Sequence, residues 1–325
     1  MTDPADAPFA DRSRVTDPAV HARALPNDLA PAQLRVRPDK DGEVAVEPDQ
    51  AAWRYLSFRA LTLRSALSIP EGREVAVIVI AGGVAVEGPG FGPWRLPGRA
   101  SPFDALPWAC YLPARPVKSS GLLNCPMARL SPSGGETRVA LAFAPPSGRE
   151  GASTEPIVIS PDEIAIEVRG AGNATRQINH IITPDFPADR LEVVEVFTPS
   201  GNWSSWPPHK HDTDDMPTEA VLEEVYYYEF RRPEAWGIQR LYRRDGTRDA
   251  LWSVRHGEAV LVTDGYHPFV ATHGDDAYYL NVLAGDRRTM ACSFDPDLDW
   301  VRATWRDLPP DPRVPMVSGG RPAAS

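Results

Sequence analysis

Short runs of apolar residues recur along the whole chain, and they predict β-strands. Residues 53–63 and 191–197 alternate apolar and polar side chains, and residues 74–80 form a β-branched run. That run ends at Gly82-Gly83, directly before the apolar residues 84–87, which predicts a tight hairpin. No apolar repeat with a period of 3.6 residues passes through either half, so long helices are not expected. The pattern predicts an all-β fold.

The two halves of the chain repeat this pattern. Each has a strand, an apolar hairpin around glycine and a strand that ends at a tyrosine, Tyr111 in the first half and Tyr266 in the second. Many short strands separated by turns favour double-sheet jelly rolls. We therefore expect two tandem barrels between a poorly ordered lead-in and a Pro/Gly/Ala-rich tail that frays from Leu308. The expected boundaries are 1–29 for the lead-in, 30–165 and 166–305 for the barrels, and 306–325 for the tail.

Composition narrows the classes of partner. The chain has 325 residues, with 34 Lys and Arg against 44 Asp and Glu, so its formal net charge is −10. Nucleic acid is not expected as a partner, because binding its backbone requires a positive surface. An anionic small molecule is still compatible as a partner, since a few arginines at one site can outweigh the negative net charge of the chain. The 35 prolines suit short strands better than helices.

The sequence also indicates in which compartment the protein is expected. Residues 1–20 are polar and acidic without an apolar signal region, and no run approaches the roughly 20 apolar residues of a membrane span. An odd number of widely spaced cysteines argues against both a disulfide framework and a zinc cluster, so they are expected to be small buried residues. These cysteines are Cys110, Cys125 and Cys292. We expect a cytoplasmic protein without a membrane partner.

The candidate metal-binding histidines lie in the second half of the chain, because six of the seven histidines fall between positions 180 and 273. Side chains alternate along an extended segment, so His209 and His211 share one face. Two imidazoles with a carboxylate on the next strand form most of a divalent-metal site. His180 and His256 are interpreted as ordinary polar residues, and His273 lies in a predicted turn.

A carboxylate and a third imidazole complete the predicted site. Glu224 shares its strand face with Tyr226, whereas Glu223 belongs to the opposite face, so only one of the two glutamates points at the histidines. Glu219 lies on a predicted loop and is a weaker candidate. His267 follows a glycine turn and opens a strand, where a barrel mouth can present an imidazole. Three histidines and one glutamate leave room for substrate oxygens on the metal.

Longer motifs around these residues resemble one known family. They are residues 202–212 (NWSSWPPHKHD), 223–228 (EEVYYY), 265–268 (GYHP), 278–282 (YYLNV), 169–177 and 186–191. These motifs look like those of the 5-deoxy-glucuronate isomerases of bacterial myo-inositol catabolism. The likeness extends over roughly residues 30–305. That family is similar to the 4-deoxy-threo-hexosulose-uronate ketol-isomerases of pectin breakdown, which are cupins. The resemblance implies two tandem cupin (jelly-roll) barrels; the histidine-poor first barrel is expected to lack a metal.

The resemblance also implies a ligand set of His209, His211, Glu224 and His267. In other cupins the glutamate follows the second histidine by about four or five residues, whereas here the step is 13 (224 − 211). An acidic loop, residues 212–220, accounts for the difference and keeps Glu219 as an alternative. Imidazole and carboxylate suit Zn²⁺, Mn²⁺, Fe²⁺, Co²⁺ and Ni²⁺ alike, so the identity of the divalent metal stays open.

The implied reaction interconverts 5-deoxy-D-glucuronate and 5-dehydro-2-deoxy-D-gluconate, an aldose–ketose isomerisation. A metal on the carbonyl and hydroxyl oxygens would stabilise the developing charge, and a nearby base would carry the proton. Tyr226, Tyr228 and Glu223 are the candidates for this base by position. A hydride shift between the two carbons would need no base and stays open.

The substrate of such an enzyme is a small anionic sugar acid, whose carboxylate favours a bidentate arginine. Arg176, in a family-like segment, and Arg240, on a predicted strand, are the candidates, and a structural salt bridge is the alternative for each. Tyr279 is expected to contact the substrate. Two other function classes stay open: a metal-free sugar-binding or regulatory bicupin, and an Fe²⁺-dependent cupin dioxygenase. Edge strands need covering, so a homo-oligomer is also expected.

Overall fold

The computed structural model describes residues 29–115 and 126–322. Nearly the whole predicted lead-in, together with Cys125, therefore lies outside the described residues. Within these ranges the predicted all-β fold is confirmed. Helical structure is limited to α1 (Val301–Thr304) and four 3-10 turns at Pro31–Gln33, Pro48–Ala51, Pro161–Glu163 and Trp305–Asp307. No helix among the described residues is long and apolar enough to span a membrane.

The described part of the first half contains ten strands. They are β1 (Arg35–Val36), β2 (Val44–Val46), β3 (Ser57–Thr62), β4 (Leu67–Ile69), β5 (Glu74–Gly88), β6 (Phe91–Arg99), β7 (Ala109–Leu112), β8 (Ala128–Pro132), β9 (Arg138–Ala144) and β10 (Ile157–Ile159). Along the main path of the sheet the order is β10-β7-β5-β9-β3-β2, and β5 also pairs with β6 and β8. Apolar side chains such as Val77, Val86 and Leu141 fill the interior of this barrel.

The predicted hairpin at Gly82-Gly83 is wrong. Strand β5 continues through Gly82 to Gly88 with a shift in register, and its hairpin partner is β6. Gly82 has a φ of +66°, and a Cβ at this position would overlap the carbonyl of Glu136. The glycine therefore bends one long strand between two layers instead of ending it.

The second half forms thirteen strands. They are β11 (Ala165–Arg169), β12 (Arg176–Ile182), β13 (Leu191–Thr198), β14 (Trp203–Ser204), β15 (His209–Lys210), β16 (Leu222–Phe230), β17 (Trp236–Tyr242), β18 (Asp249–Arg255), β19 (Ala259–Val262), β20 (Phe269–Ala271), β21 (Ala277–Gly285), β22 (Ser293–Phe294) and β23 (Arg321–Pro322). An eight-stranded sheet of order β1-β19-β16-β21-β13-β12-β11-β23 faces a four-stranded sheet of order β14-β20-β17-β18. The short pair β15-β22 lies beside them.

The eight-stranded sheet is shared between the two barrels, because one of its faces packs on the first barrel. Tyr227 packs against Phe58 with ring centroids 5.8 Å apart, and both belong to one continuous apolar core. Charged groups also cross this interface. Arg99 of the first barrel forms an ion pair with Glu195 of the second, and both side chains are at most 1% exposed. The two barrels therefore share an interface that contains both apolar packing and a buried ion pair.

Both ends of the described chain are tied to the second barrel, which differs from the predicted boundaries. Strand β1 pairs with β19, although the sequence assigned it to the first barrel. The prediction that the tail frays from Leu308 is wrong. The amides of Met316 and Val317 donate to Gln177 Oε1 at 2.6 and 3.1 Å, and β23 pairs in parallel with β11. Backbone hydrogen bonds to a neighbouring strand order the tail in spite of its composition.

Candidate active site

The inner face of the eight-stranded sheet forms one wall of a cavity in the second barrel. Residues directly opposite each other in antiparallel strands project from the same face. The register of β16, β21, β13 and β12 therefore sets two rows of side chains across this wall, Tyr226–Asn281–Val194–His180 and Tyr228–Tyr279–Val196–Ile178. Glu224 begins the adjacent row, opposite Leu283. The other face, which carries Glu223, packs on the first barrel.

The four predicted metal ligands meet at this wall. Ligand atoms of His211, Glu224 and His267, all buried, lie within 4.8 Å of one another. The ring of half-buried His209 lies 4.6 Å from that of His267, centroid to centroid. Three separate segments supply these residues: β15 with the residue after it, β16, and the turn before β20. The structure thus brings together the residues that sequence motifs singled out.

The tautomers of two histidines direct lone pairs at one point. His211 Nδ1 donates to the Leu222 carbonyl at 3.0 Å, and His267 Nδ1 donates to the Gly265 carbonyl at 2.9 Å. Because a carbonyl only accepts, each neutral ring keeps a lone pair on Nε2. His267 Nε2 is buried without a hydrogen-bond partner among the described residues. His211 Nε2 lies 2.8 Å from Glu224 Oε2.

The neighbouring carboxylate completes a donor set that fits a metal ion. Asn281 donates to Glu224 Oε1, which leaves Oε2 directed at His211 and, at 3.4 Å, at His267. Burial lowers the pKa of His267 to about 4, and burial together with the charge of His267 holds the pKa of His209 well below its usual range. Neutral imidazoles with converging lone pairs beside a carboxylate are the form that a divalent cation requires. A buried His–Glu–His group therefore could hold a metal.

His211 is the exception among the three rings. Burial opposes its charged form, but the hydrogen bond with Glu224 and the charges of Glu224 and Asp212 together outweigh burial and raise the pKa of His211. Without a cation, a proton between His211 and Glu224 relieves the repulsion of the two acceptors. A metal would compete with that proton for the same lone pair.

The carboxylate of Glu219, the alternative ligand, binds groups of its own loop instead of joining the metal group. Its carboxylate accepts hydrogen bonds from Lys210 Nζ at 2.7 Å and from the amides of Asp212 and Thr213, both at 2.8 Å. It therefore closes the acidic loop 212–220 on itself. Asp212 also accepts from the amide of Gly265 at 2.7 Å, so the loop that lengthens the His211–Glu224 spacing also braces the turn that carries His267.

A cavity of about 350 Å³ opens beside the metal group. Three of the proposed ligands, His209, His211 and Glu224, form part of its wall. The apolar side chains of Met290, Phe294 and Trp206 form other parts of the wall. Among the described residues that line it, Glu224 is the one carboxylate, against three arginines: Arg169, Arg176 and Arg302. Arg169 and Arg302 form ion pairs with Glu167 and Asp299, which leaves Arg176 as the lining arginine without a carboxylate partner among the described residues.

Arg176 and Arg240, the two candidates for an anion site, have different surroundings. Arg176 is buried in the cavity wall, and its Nη1 has no hydrogen-bond partner among the described residues. Arg169 lies directly across the strand pair from it, and its own guanidinium forms an ion pair with Glu167 at 2.6 Å. Arg240 is a correction: its guanidinium pairs with Asp249 at 2.8 Å on the outer surface, away from the cavity.

The tyrosine candidates also differ in whether they reach the cavity. Tyr226 and Tyr279 line the cavity; the hydroxyl of Tyr226 lies 3.0 Å from Ser205 Oγ, and that of Tyr279 bonds to Ser204. Tyr228 lies deeper, where its hydroxyl donates to Gln239 at 2.6 Å. It is not among the cavity-lining side chains, so its predicted role as base is not supported by its position.

Among the candidate bases, Glu223 is the residue whose predicted role the structure contradicts most clearly. Its carboxylate points away from the metal group and accepts the amides of Tyr55 and Leu56, at 2.9 and 2.8 Å. Strand alternation causes this, because Glu224 on the same strand faces the cavity. Glu223 therefore joins the two barrels and has no access to a substrate.

Sequence reasoning missed several cavity residues. His180, Asn281 and Cys292 line the cavity, and so do Arg302 and Trp305 from the short helical turns after residue 300. A signal existed for His180, because it shares strand parity with Arg176 in the family-like segment. Nothing in the periodicity indicated that the segment around residue 302 folds back over the barrel mouth.

Comparison with known proteins identifies the family. The model of the KduI/IolB family matches residues 32–301. The chain belongs to this family. A 5-deoxy-glucuronate isomerase of Geobacillus kaustophilus (strain HTA426) is 37% identical over 269 residues, which cover 81% of this chain and 92% of the relative. The enzyme of the same name from Geobacillus thermodenitrificans (strain NG80-2) is 38% identical over 81% of this chain and 93% of the relative.

Solved structures agree with the fold. An IolB-like protein from Salmonella typhimurium LT2 superposes with a TM-score of 0.75 at 31% identity, and the match covers 83% of this chain and 99% of that chain. An oxalate decarboxylase from Lactobacillus farciminis superposes with a TM-score of 0.55 at 11% identity, over 80% of this chain and 88% of that one. The second likeness concerns the fold alone. The predicted pair of tandem cupin barrels is confirmed by these matches.

Proposed function

We propose that this protein is a metal-dependent isomerase that converts 5-deoxy-D-glucuronate to 5-dehydro-2-deoxy-D-gluconate in myo-inositol catabolism. The observation that carries the proposal is the pairing, in one cavity, of a buried His–Glu–His donor group with the unpartnered Arg176 guanidinium. A sugar acid has oxygens at one end and a carboxylate at the other, which matches this pair of features. The names of the relatives support the substrate.

The proposed ligands are His209, His211, Glu224 and His267. A divalent ion held by them would supply Lewis-acid stabilisation of negative charge on the substrate oxygens. Zn²⁺, Mn²⁺, Fe²⁺, Co²⁺ and Ni²⁺ all suit this donor set. The Asn281 amide would keep the Glu224 carboxylate oriented, since it donates to the oxygen that does not face the histidines.

The other cavity residues would bind and orient the sugar acid. Arg176 offers free N–H donors to the carboxylate, and burial strengthens such a charge-assisted pair. Burial also raises the pKa of Tyr226 well above its usual range, so its phenol stays protonated and donates a hydrogen bond to a substrate oxygen. Tyr279, next to Arg176, would close the other side of the cavity.

Adjacent glutamates on β16 provide the test. Glu224→Gln removes a metal ligand, so the purified variant should contain less than about a tenth of the wild-type metal and should lose turnover, as measured by NMR with 5-deoxy-D-glucuronate. Glu223→Gln is the matched control, one residue away on the opposite face, and should keep both. Full turnover in Glu224→Gln would contradict the metal site. A wild-type protein that does not isomerise 5-deoxy-D-glucuronate, and instead oxidises it with consumption of oxygen, would favour a dioxygenase over an isomerase.

A further inference from the structure

The proposed isomerisation needs a proton carrier, and the cavity leaves few groups for this role. Of the described titratable side chains that line it, three are proposed metal ligands and three are arginines. Burial raises the pKa of the Cys292 thiol, so this group stays protonated near neutral pH, and the hydroxyls of Tyr226 and Tyr279 form hydrogen bonds with Ser205 and Ser204. His180 is the remaining titratable side chain among the described residues that line the cavity.

His180 has the geometry of an oriented base. It lies on β12 in the same row as Tyr226 and Asn281, so its side chain points from the cavity wall. Its Nε2 lies 2.9 Å from Glu167 Oε2 on the neighbouring strand β11. Burial opposes ionisation of Glu167, but hydrogen bonds from His180 and Arg169 outweigh it and lower the pKa of Glu167 to about 2. The ionised carboxylate accepts the Nε2 proton, which leaves the lone pair of His180 on Nδ1.

The groups around His180 are consistent with a change of charge during the reaction. On β11, Glu167 is anionic, and Arg169 is bound to it at 2.6 Å. Arg176 lies four residues away on its own strand, and Val194, directly opposite on β13, is apolar. A carboxylate directly behind an imidazole stabilises the imidazolium that forms when the ring takes a proton.

Resting on the proposed function, we infer that His180 is the catalytic residue that carries the proton between C1 and C2 of the sugar acid, with Glu167 as its positioning residue. His180 removes the proton from C2, the C–H electron pair forms the C1–C2 double bond, and the C1 carbonyl oxygen takes the proton of the C2 hydroxyl. An electron pair of the C2 oxygen then forms the C2 carbonyl, and the C1–C2 π electron pair takes the proton from His180 at C1. Each proton that is taken up is one released in the same turnover, so no oxidant or reductant is needed.

Replacement of His180 tests this inference. His180→Asn should lower kcat by roughly a hundredfold or more, the usual range for loss of a general base, while KM and metal content stay within about threefold of wild type. His273→Asn is the control, because His273 is exposed in a turn outside the cavity and its loss should change neither constant. A His180→Asn variant that retains wild-type kcat would overturn the inference.

Two further readouts separate a catalytic role from a structural one. Wild-type turnover in D₂O should place deuterium on the hydroxymethyl carbon of the product, which is C1 of the substrate and C6 in the numbering of the product, and a product free of deuterium would eliminate His180 as carrier. Glu167→Gln removes the charge behind the imidazole, so the acidic limb of the kcat/KM profile should move to lower pH. An unmoved limb would remove Glu167 from this role. Wild-type turnover in the same NMR assay tests the proposed function separately from all variants.

Discussion

A buried carboxylate below the candidate metal group makes a sharp prediction about stability and pH. Glu192 lies on the inner face of the second barrel, opposite Leu283, and is 1% exposed. Neither of its carboxylate oxygens has a hydrogen-bond partner among the described residues. Burial raises the pKa of Glu192 to about 7 from its ordinary 4.5, and the charge of Arg288 offsets burial only in part. We therefore predict that Glu192→Gln stabilises the protein at alkaline pH.

The sign and size follow from proton linkage. The folded state binds the Glu192 proton more tightly than the unfolded chain does, so this residue favours folding in acid. Its contribution is lost as the pH rises from 4.5 through about 7. Each pH unit of difference is worth about 1.4 kcal/mol, so the loss between about pH 5 and about pH 8 amounts to roughly 2 to 3 kcal/mol. Glutamine has a similar shape and no titration, so its contribution stays constant.

The assay is chemical denaturation of the metal-free protein at these two pH values. The stability of Glu192→Gln relative to wild type should rise by roughly 2 to 3 kcal/mol from the acidic to the alkaline condition. Glu87→Gln, on an exposed position of β5, is the control and should show no such rise. An equal pH dependence of wild type and Glu192→Gln would refute the reasoning, because it would mean that Glu192 is solvated or paired in solution.

Three other perturbations test separate parts of the structure. Arg176→Lys keeps the charge but loses the planar fork, so KM for 5-deoxy-D-glucuronate should rise about tenfold with little change in kcat; an unchanged KM would remove Arg176 from the carboxylate site. Arg99→Met leaves Glu195 buried without its cation between the barrels, and should lower the free energy of unfolding by about 3 to 5 kcal/mol in urea titrations. Gly82→Ala forces a Cβ against the Glu136 carbonyl at positive φ and should cost about 1 to 3 kcal/mol in the same assay; a neutral result would contradict the bend in β5.

The alternation of side chains along a strand is sufficient to predict which of two adjacent residues faces the cavity. Alternation on β16 distinguished Glu224 from Glu223 as the residue that faces the histidines, and the structure brings Glu224 to them. The same alternation places Glu223 on the opposite face but does not exclude it as the base, because the sequence of the strand does not show that this face is covered by another barrel. The direction of each face depends on contacts between distant segments, such as the Glu223 carboxylate with the amide of Leu56.

The errors share this cause. A position on a strand predicts Arg240 as an anion ligand, yet its guanidinium pairs with Asp249 on the outer surface. The sequence predicts His180 as an ordinary polar residue, since its partner Glu167 lies on another strand. Composition alone predicts a frayed tail, although Gln177 accepts hydrogen bonds from two of its amides. Composition and period describe one segment at a time, whereas these outcomes depend on the packing of several.

The central claim is that metal-dependent isomerisation occurs at the His–Glu–His group. The most direct measurement combines metal analysis of the purified protein with an NMR time course of 5-deoxy-D-glucuronate before chelation, after chelation and after return of the ion. We predict about one divalent ion per chain, loss of turnover on its removal and recovery on its return. Undiminished turnover after complete removal of the metal would contradict the claim.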